Sequence, residues 1–310
     1  MTAARLFSDG ALAVLAEPPA VGIRALLEAG ELGAAESAVV SADRACRDSV
    51  AGYHGWVAST IRHVLERDVA DTPPLMTAIA DFYAHYPGDA RVFAEPPTVS
   101  ADDVIERVRA ADTDGALAAF AARGDGWRAR NDVGRDLVSS LLSFVYRRHG
   151  VDALEAALRR GGNDTLVAWM DTDISRPPEK RLVSTTRMLH GHFTEFRLSE
   201  DDEKFVIHQD VCGTCARQIA DGRYAPPLDL AVVTERHLVT GGRGNTPIYR
   251  AHVPVMHVAM PRERIGVPWP LPLCPAGLGT GVCDSYLYKD PYNPRANAAA
   301  DGDHGWITDS

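Results

Sequence analysis

The chain has 310 residues, a formal net charge of −10, and 45% hydrophobic against 24% charged residues. That balance is ordinary for a soluble globular protein with enough apolar material for a core, and too acidic to leave a clustered Lys/Arg footprint for nucleic acid. No apolar run approaches the roughly 20 residues of a membrane span. The opening residues 1–10, with one basic side chain and an early acid, do not read as a secretory signal. The expectation is a cytoplasmic protein with a small-molecule substrate and neither nucleic acid nor membrane as partner. Five cysteines, an odd number in a reducing compartment, point to free thiols or metal ligands before a disulfide framework.

In chain order, residues 20–170 carry helical periodicity, punctuated by Pro-Pro at 73 and 96 and Gly-Gly at 161. Ser100 followed by Asp103 predicts a capping box, after which Val104, Ile105 and Val108 supply one apolar face. Leu137, Leu141 and Val145, with Val138 and Leu142 beside them, predict a broad stripe that stops at His149-Gly150. A short helix restarts over 152–160. Residues 56–80 and 137–158 echo each other as a long amphipathic helix, a break and a shorter helix.

After Arg176-Pro177-Pro178 the rhythm changes. Residues 189–198 and 204–209 read as an antiparallel hairpin around an acidic turn, Asp201 to Glu203, with His190, His192, Thr194 and Phe196 on one strand face. Short strands are expected at 230–234, 253–259 and 285–288 among Gly- and Pro-rich loops. The fold class is therefore α+β: a helical region over 1–178 packed on a small antiparallel lobe over 179–290, then a polar tail over 291–310 that Trp306 can dock.

Chemistry is expected in the lobe. Cys212 and Cys215 form a CxxC half-site after the second hairpin strand, and Cys274 and Cys283 follow among His190, His192, His208, His252 and His257. Thiolates and imidazoles together suit Zn²⁺, and an activated thiolate beside an imidazole suits nucleophilic catalysis. Buried inert cysteines and a redox dithiol are the competing readings, the latter wanting a strand-to-helix βαβ setting that this region lacks. The metal set is drawn from His192, Cys212, Cys215, His252 and Cys283. The catalytic set is Cys212, Cys283, His252 and His192. His257, flanked by apolar residues, reads as a satisfied core imidazole. His63 with Glu66, one helical turn apart, reads as a solvated face. Glycines 277, 279 and 281 lack the strand-loop-helix context of a dinucleotide site, and no GxSxG, P-loop or HExxH motif is present.

The order of a hairpin, a Cys212-Gly213 turn, a His252 segment and a closing Gly-x-Gly-x-Cys283-Asp284 through Tyr288-Lys289 resembles the L-2-amino-thiazoline-4-carboxylic acid hydrolase-like proteins and bacterial relatives with a Pro-Cys-Gly-x-Gly-Gly turn. The resemblance covers about residues 188–291 and includes Glu200-Asp-Asp-Glu-Lys204. Cys215 stands where those relatives have glycine, and Arg250 and Val253 replace cysteines around the His252 segment. The resemblance implies cleavage of a carbon–nitrogen bond in a small non-peptide substrate such as a cyclic amidine or thiazoline. Two mechanisms follow: zinc-activated water, or a Cys212 or Cys283 thiolate with His252 or His192 as base and acid and the Gly213 turn as oxyanion donor. The alternatives are a non-catalytic protein stapled by structural zinc, and a biosynthetic lyase or ring-forming enzyme using the same pocket.

Overall fold

A computed structural model describes residues 5–302. The first half is helical, as its periodicity predicts: α1 Asp9–Ala16, α2 Pro19–Glu28, α3 Leu32–Arg67, α4 Thr72–His85, α5 Ala101–Arg109, α6 Thr113–His149, α7 Val151–Thr165, α8 Val167–Ile174 and α9 Pro178–Gly191. Pro73-Pro74 opens α4, where missing N–H groups go unpaired in any helix. The Ser100–Asp103 capping box forms in both directions. The α6 stripe ends at Gly150, whose φ of 81° admits glycine readily. Ser100→Ala is expected to cost about 1 kcal/mol, read as a drop in the urea midpoint; an unchanged midpoint would show the cap to be idle. Among the described residues no single helix is long and apolar enough to cross a membrane.

The second half supplies a four-stranded antiparallel sheet in the order β1-β2-β6-β5, from β1 Glu195–Glu200, β2 Lys204–Val211, β5 Leu271–Leu273 and β6 Cys283–Tyr288. A two-residue pair, β3 Val232–Val233 with β4 Thr246–Pro247, lies apart from it. Short helices α10 Cys215–Ala220, α11 Met260–Ile265 and α12 Arg295–Asp301 fill the connections. The acidic turn behaves as a hairpin tip, with Asp201 accepting from the backbone of Glu203 and Lys204.

Three expectations change. Residues 189–198 are not one strand: α9 runs through Gly191, His192 N donates to the Met188 carbonyl, and Phe193 at φ 57° turns the chain before β1 begins. The cause is tertiary, since α9 lies so close to α3 that a Cβ on Gly191 would sit 2.5 Å from the Ala45 carbonyl oxygen. His190 therefore leaves the supposed shared face, packing on Phe196 and reaching the Leu15 carbonyl. Residues 253–259 form a π-helical turn, not a strand. Their apolar run carries no polar alternation to decide between a buried strand and a buried helix. The tail is partly built, because α12 buries Ala296 and Ala300; Trp306 lies outside the described residues.

The main core crosses the break at residue 178. Tyr53 and Trp56 of α3, Leu141 and Leu142 of α6, and Leu154 and Leu158 of α7 share one apolar cluster with Tyr249, Val255, Met256 and Leu271. The segment 248–259 is thus wedged among helices from the other half of the chain.

Candidate functional site

Sheet register explains where the thiols go. Antiparallel pairing sets Gln209 opposite Cys283 and Leu273 opposite Asp284, so the end of β2, the start of β6 and the end of β5 meet at one edge. Cys212 leaves β2 there, Cys215 opens α10, and Cys274 leaves β5. The Cys212 and Cys215 sulfurs are 4.0 Å apart and the Cys274 and Cys283 sulfurs 3.2 Å apart. Cys215 and Cys274 each shift the other's titration, so the two pairs are buried side by side. Gly213 makes the turn possible: a Cβ there would lie 2.0 Å from the His192 carbonyl oxygen, while its N–H donates to Thr194 Oγ1 at 3.0 Å.

All four thiols are held above their ordinary range. For Cys212 the hydrogen bond to Cys215 does most, then burial. At Cys274 the Cys215 contact pulls down, but the Cys283 hydrogen bond and burial push the thiol well up. At Cys283 the Cys274 contact pulls down and burial outweighs it. No imidazole is hydrogen-bonded to any of these thiols among the described residues. A nucleophilic thiolate needs a depressed pKa and a neighbouring base, so the expected activated Cys–His pair for Cys212 or Cys283 does not form.

The histidines of the expected metal set gather elsewhere, in an adjacent chamber. His192, at the C-cap of α9, faces Tyr53 of α3 at 5.7 Å between ring centres. His252 follows a 3₁₀ turn, Ile248–Ala251, and packs on Tyr249 at 4.9 Å, Trp56 at 5.6 Å and His257 at 5.5 Å. The Tyr53 and Tyr249 hydroxyls touch at 3.0 Å, closing the ring of groups. Both His192 and His252 are half-buried.

Hydrogen bonding fixes the tautomer of His252 and places the ring of His192. Asn131 Nδ2 donates to Ser49 Oγ at 2.6 Å, and Ser49 Oγ meets His192 Nδ1 at 3.0 Å, a contact in which either atom can donate. His252 Nδ1 lies 2.5 Å from the Tyr249 carbonyl oxygen, which only accepts, so His252 carries its proton on Nδ1 and a bare lone pair on Nε2. Burial, with Arg217 next, lowers His192 to about 4, and burial lowers His252 to about 4. Each is a neutral ring at neutral pH. His257, pushed down by burial to about 3, meets the Trp269 carbonyl at 3.3 Å and is the satisfied core imidazole its setting predicts.

A buried ionic lattice fixes the chamber. Arg217 of α10 donates to the His192 and Phe193 carbonyls at 3.3 Å and pairs with Asp132 at 2.6 Å. Arg135, fully buried, pairs with Asp132 at 3.0 Å and Asp136 at 2.9 Å. Burial pulls its pKa down, but Asp136 and Asp132 outweigh that and raise it above the ordinary value. Gln218 Nε2 completes Asp136 at 2.8 Å.

Cys274, counted in the Cys/His cluster but left out of the expected metal and catalytic sets, stands with Cys283 at the ends of neighbouring strands. The sequence reading missed Tyr53, Tyr249, Arg217 and the α6 residues 131–136. Their signal was the polar pairs Asn131/Arg135 and Asp132/Asp136 at helical spacing just before an apolar stripe. Of the weaker candidates, Glu66 is tied to Arg160 as a solvated ion pair. Among the described residues no group of three or more His, Cys, Asp or Glu side chains, as they stand, is arranged to hold a metal ion. Compared with protein-family models, curated proteins and solved structures, the chain matches none.

Proposed function

We propose that the protein is a small-molecule enzyme, hydrolase-like, that breaks a carbon–nitrogen bond by acid–base chemistry in the imidazole and phenol chamber. The single observation carrying this reading is the pair of neutral imidazoles held among aromatic rings, with the His252 Nε2 lone pair left free by the Nδ1 contact to Tyr249. His252 Nε2 is the base: it takes a proton from water as the water oxygen attacks an sp² carbon. The protonated His252 then returns that proton to the departing nitrogen, while neutral His192 hydrogen-bonds the substrate. Ser49 and the Tyr249 carbonyl hold the rings, Arg217 holds the His192 backbone, and the apolar walls of Trp56 and Tyr249 restrict the substrate to a compact, largely uncharged molecule. A cyclic amidine or thiazoline, the class the resemblance to the amino-thiazoline hydrolases implies, has such a carbon.

The test is turnover of cyclic amidines, thiazolines and small amides by the full chain and by His252→Gln and His192→Gln. Each variant is expected to lose about 10²–10⁴-fold in kcat/KM, the usual worth of one positioned acid or base, with its circular dichroism unchanged. Turnover undiminished in both variants, or none of the three classes being processed, would overturn the assignment.

A further inference from the structure

We propose that Cys212, Cys215, Cys274 and Cys283 together bind one zinc ion in a closed, all-sulfur site with no histidine ligand, balanced by the buried Arg250. The inference stands apart from the acid–base reading, because a tetrahedral ion with four protein ligands has no position left for substrate.

Three observations lead to it. The first is convergence: two strand ends, a strand start and a helix start deliver four thiols to one edge of the sheet, and weak S–H hydrogen bonding gives no reason for such gathering. The second is spacing. Zinc–sulfur bonds of about 2.3 Å place tetrahedral thiolates about 3.8 Å apart, and the separations of 4.0 and 3.2 Å within the two pairs bracket that value, so binding asks the two pairs to close on one point. An iron–sulfur cluster interposes iron and sulfide between its ligands and would hold the cysteines farther apart.

The third observation is Arg250. Its guanidinium is buried, its Nε has no partner, and no carboxylate pairs with it among the described residues. One Nη donates to the carbonyls of Pro275 at 2.5 Å and Gly277 at 2.7 Å; the other donates to the Gly279 carbonyl at 3.0 Å and lies 3.7 Å from Cys215 Sγ. A buried cation without an anion is costly. Binding of Zn²⁺ releases four thiol protons to solvent and leaves a tetrathiolate centre of charge −2, which supplies the missing anion. The same guanidinium pins the loop between Cys274 and Cys283, so it positions two ligands while neutralising them.

The experiment uses the full chain, produced with zinc and purified under reductant. Elemental analysis is expected to give one zinc per chain, and X-ray absorption a shell of four sulfurs at about 2.3 Å. Cys274→Ser should lose the metal, whereas His192→Gln and His252→Gln should keep it whether or not they retain turnover. Arg250→Met should weaken zinc retention about 10–100-fold, the usual effect of removing an outer-shell partner. A chain without stoichiometric zinc, two disulfides in the intact mass, iron–sulfur absorbance, or a shell containing nitrogen would each overturn the proposal. Should Cys274→Ser fail to fold, the absorption shell of the unaltered chain still decides.

Discussion

Acidification from about pH 6.5 to about pH 4 is expected to unfold the protein cooperatively, with the loss of stability beginning above the range in which most carboxylates titrate. The ordinary imidazole value is 6.5, while burial holds His192 and His252 at about 4 and His257 at about 3. The unfolded chain therefore takes up protons that the folded chain refuses. The stability these rings contribute is complete above pH 6.5 and is lost as the pH falls through their folded values. Allowing for the residual exposure of the rings, each is worth about 2 kcal/mol, and the three together about 6 kcal/mol. A typical domain has about 5–15 kcal/mol in all. Urea melts at a series of pH values, followed by tryptophan fluorescence, would measure the slope, and His257→Gln should flatten it. A midpoint constant down to pH 4 would show that these rings already accept protons in the folded state.

Gly213→Ala is expected to disrupt the lobe more than any core truncation nearby. A Cβ at this position would lie 2.0 Å from the His192 carbonyl oxygen and 2.8 Å from the Phe193 carbonyl carbon and the Thr194 nitrogen. All three are backbone atoms, so no rotamer change relieves the clash. The same displacement would break the Gly213 N–H bond to Thr194 and move Cys212 away from Cys215. The loss should exceed about 3 kcal/mol, the upper end for overpacking. Gly124→Ala is the matched control: it lies in α6 with nothing within 4 Å of the added methyl, and should stabilise by about 0.5–1 kcal/mol. Thermal melts of the two variants side by side separate clash from general intolerance; equal midpoints would refute the close approach.

The helical half was legible because its signals are local. The Ser100 cap, the Gly150 stop and the α6 stripe each depend on residues within a few positions of one another, and each element formed where its pattern lay. The hairpin was legible for the same reason in its outer part, from Glu195 onward. Its inner end was not, because the continuation of α9 to Gly191 depends on contact with Ala45, far away in sequence. The lobe's thiols and imidazoles could be named but not sorted. Their composition showed soft ligands and bases in quantity, and only the register of β2, β5 and β6 separated the four sulfurs from the histidines. The placing of the His192 ring rests on Ser49 and Asn131, ordinary polar residues of long helices that no motif distinguishes.

The wedge of residues 248–259 between the early helices has a consequence for biosynthesis. A nascent chain leaves the ribosome from its N-terminus, so α3, α6 and α7 are complete long before Tyr249, Val255 and Met256 exist to fill the seam between them. Until residues 248–259 emerge, Tyr53 and Trp56 face an unfilled apolar gap, the kind of surface that invites aggregation or a chaperone. Ribosome stalling just before residue 248 should therefore yield a helical but protease-sensitive intermediate, and emergence of residues 248–302 should protect it at once.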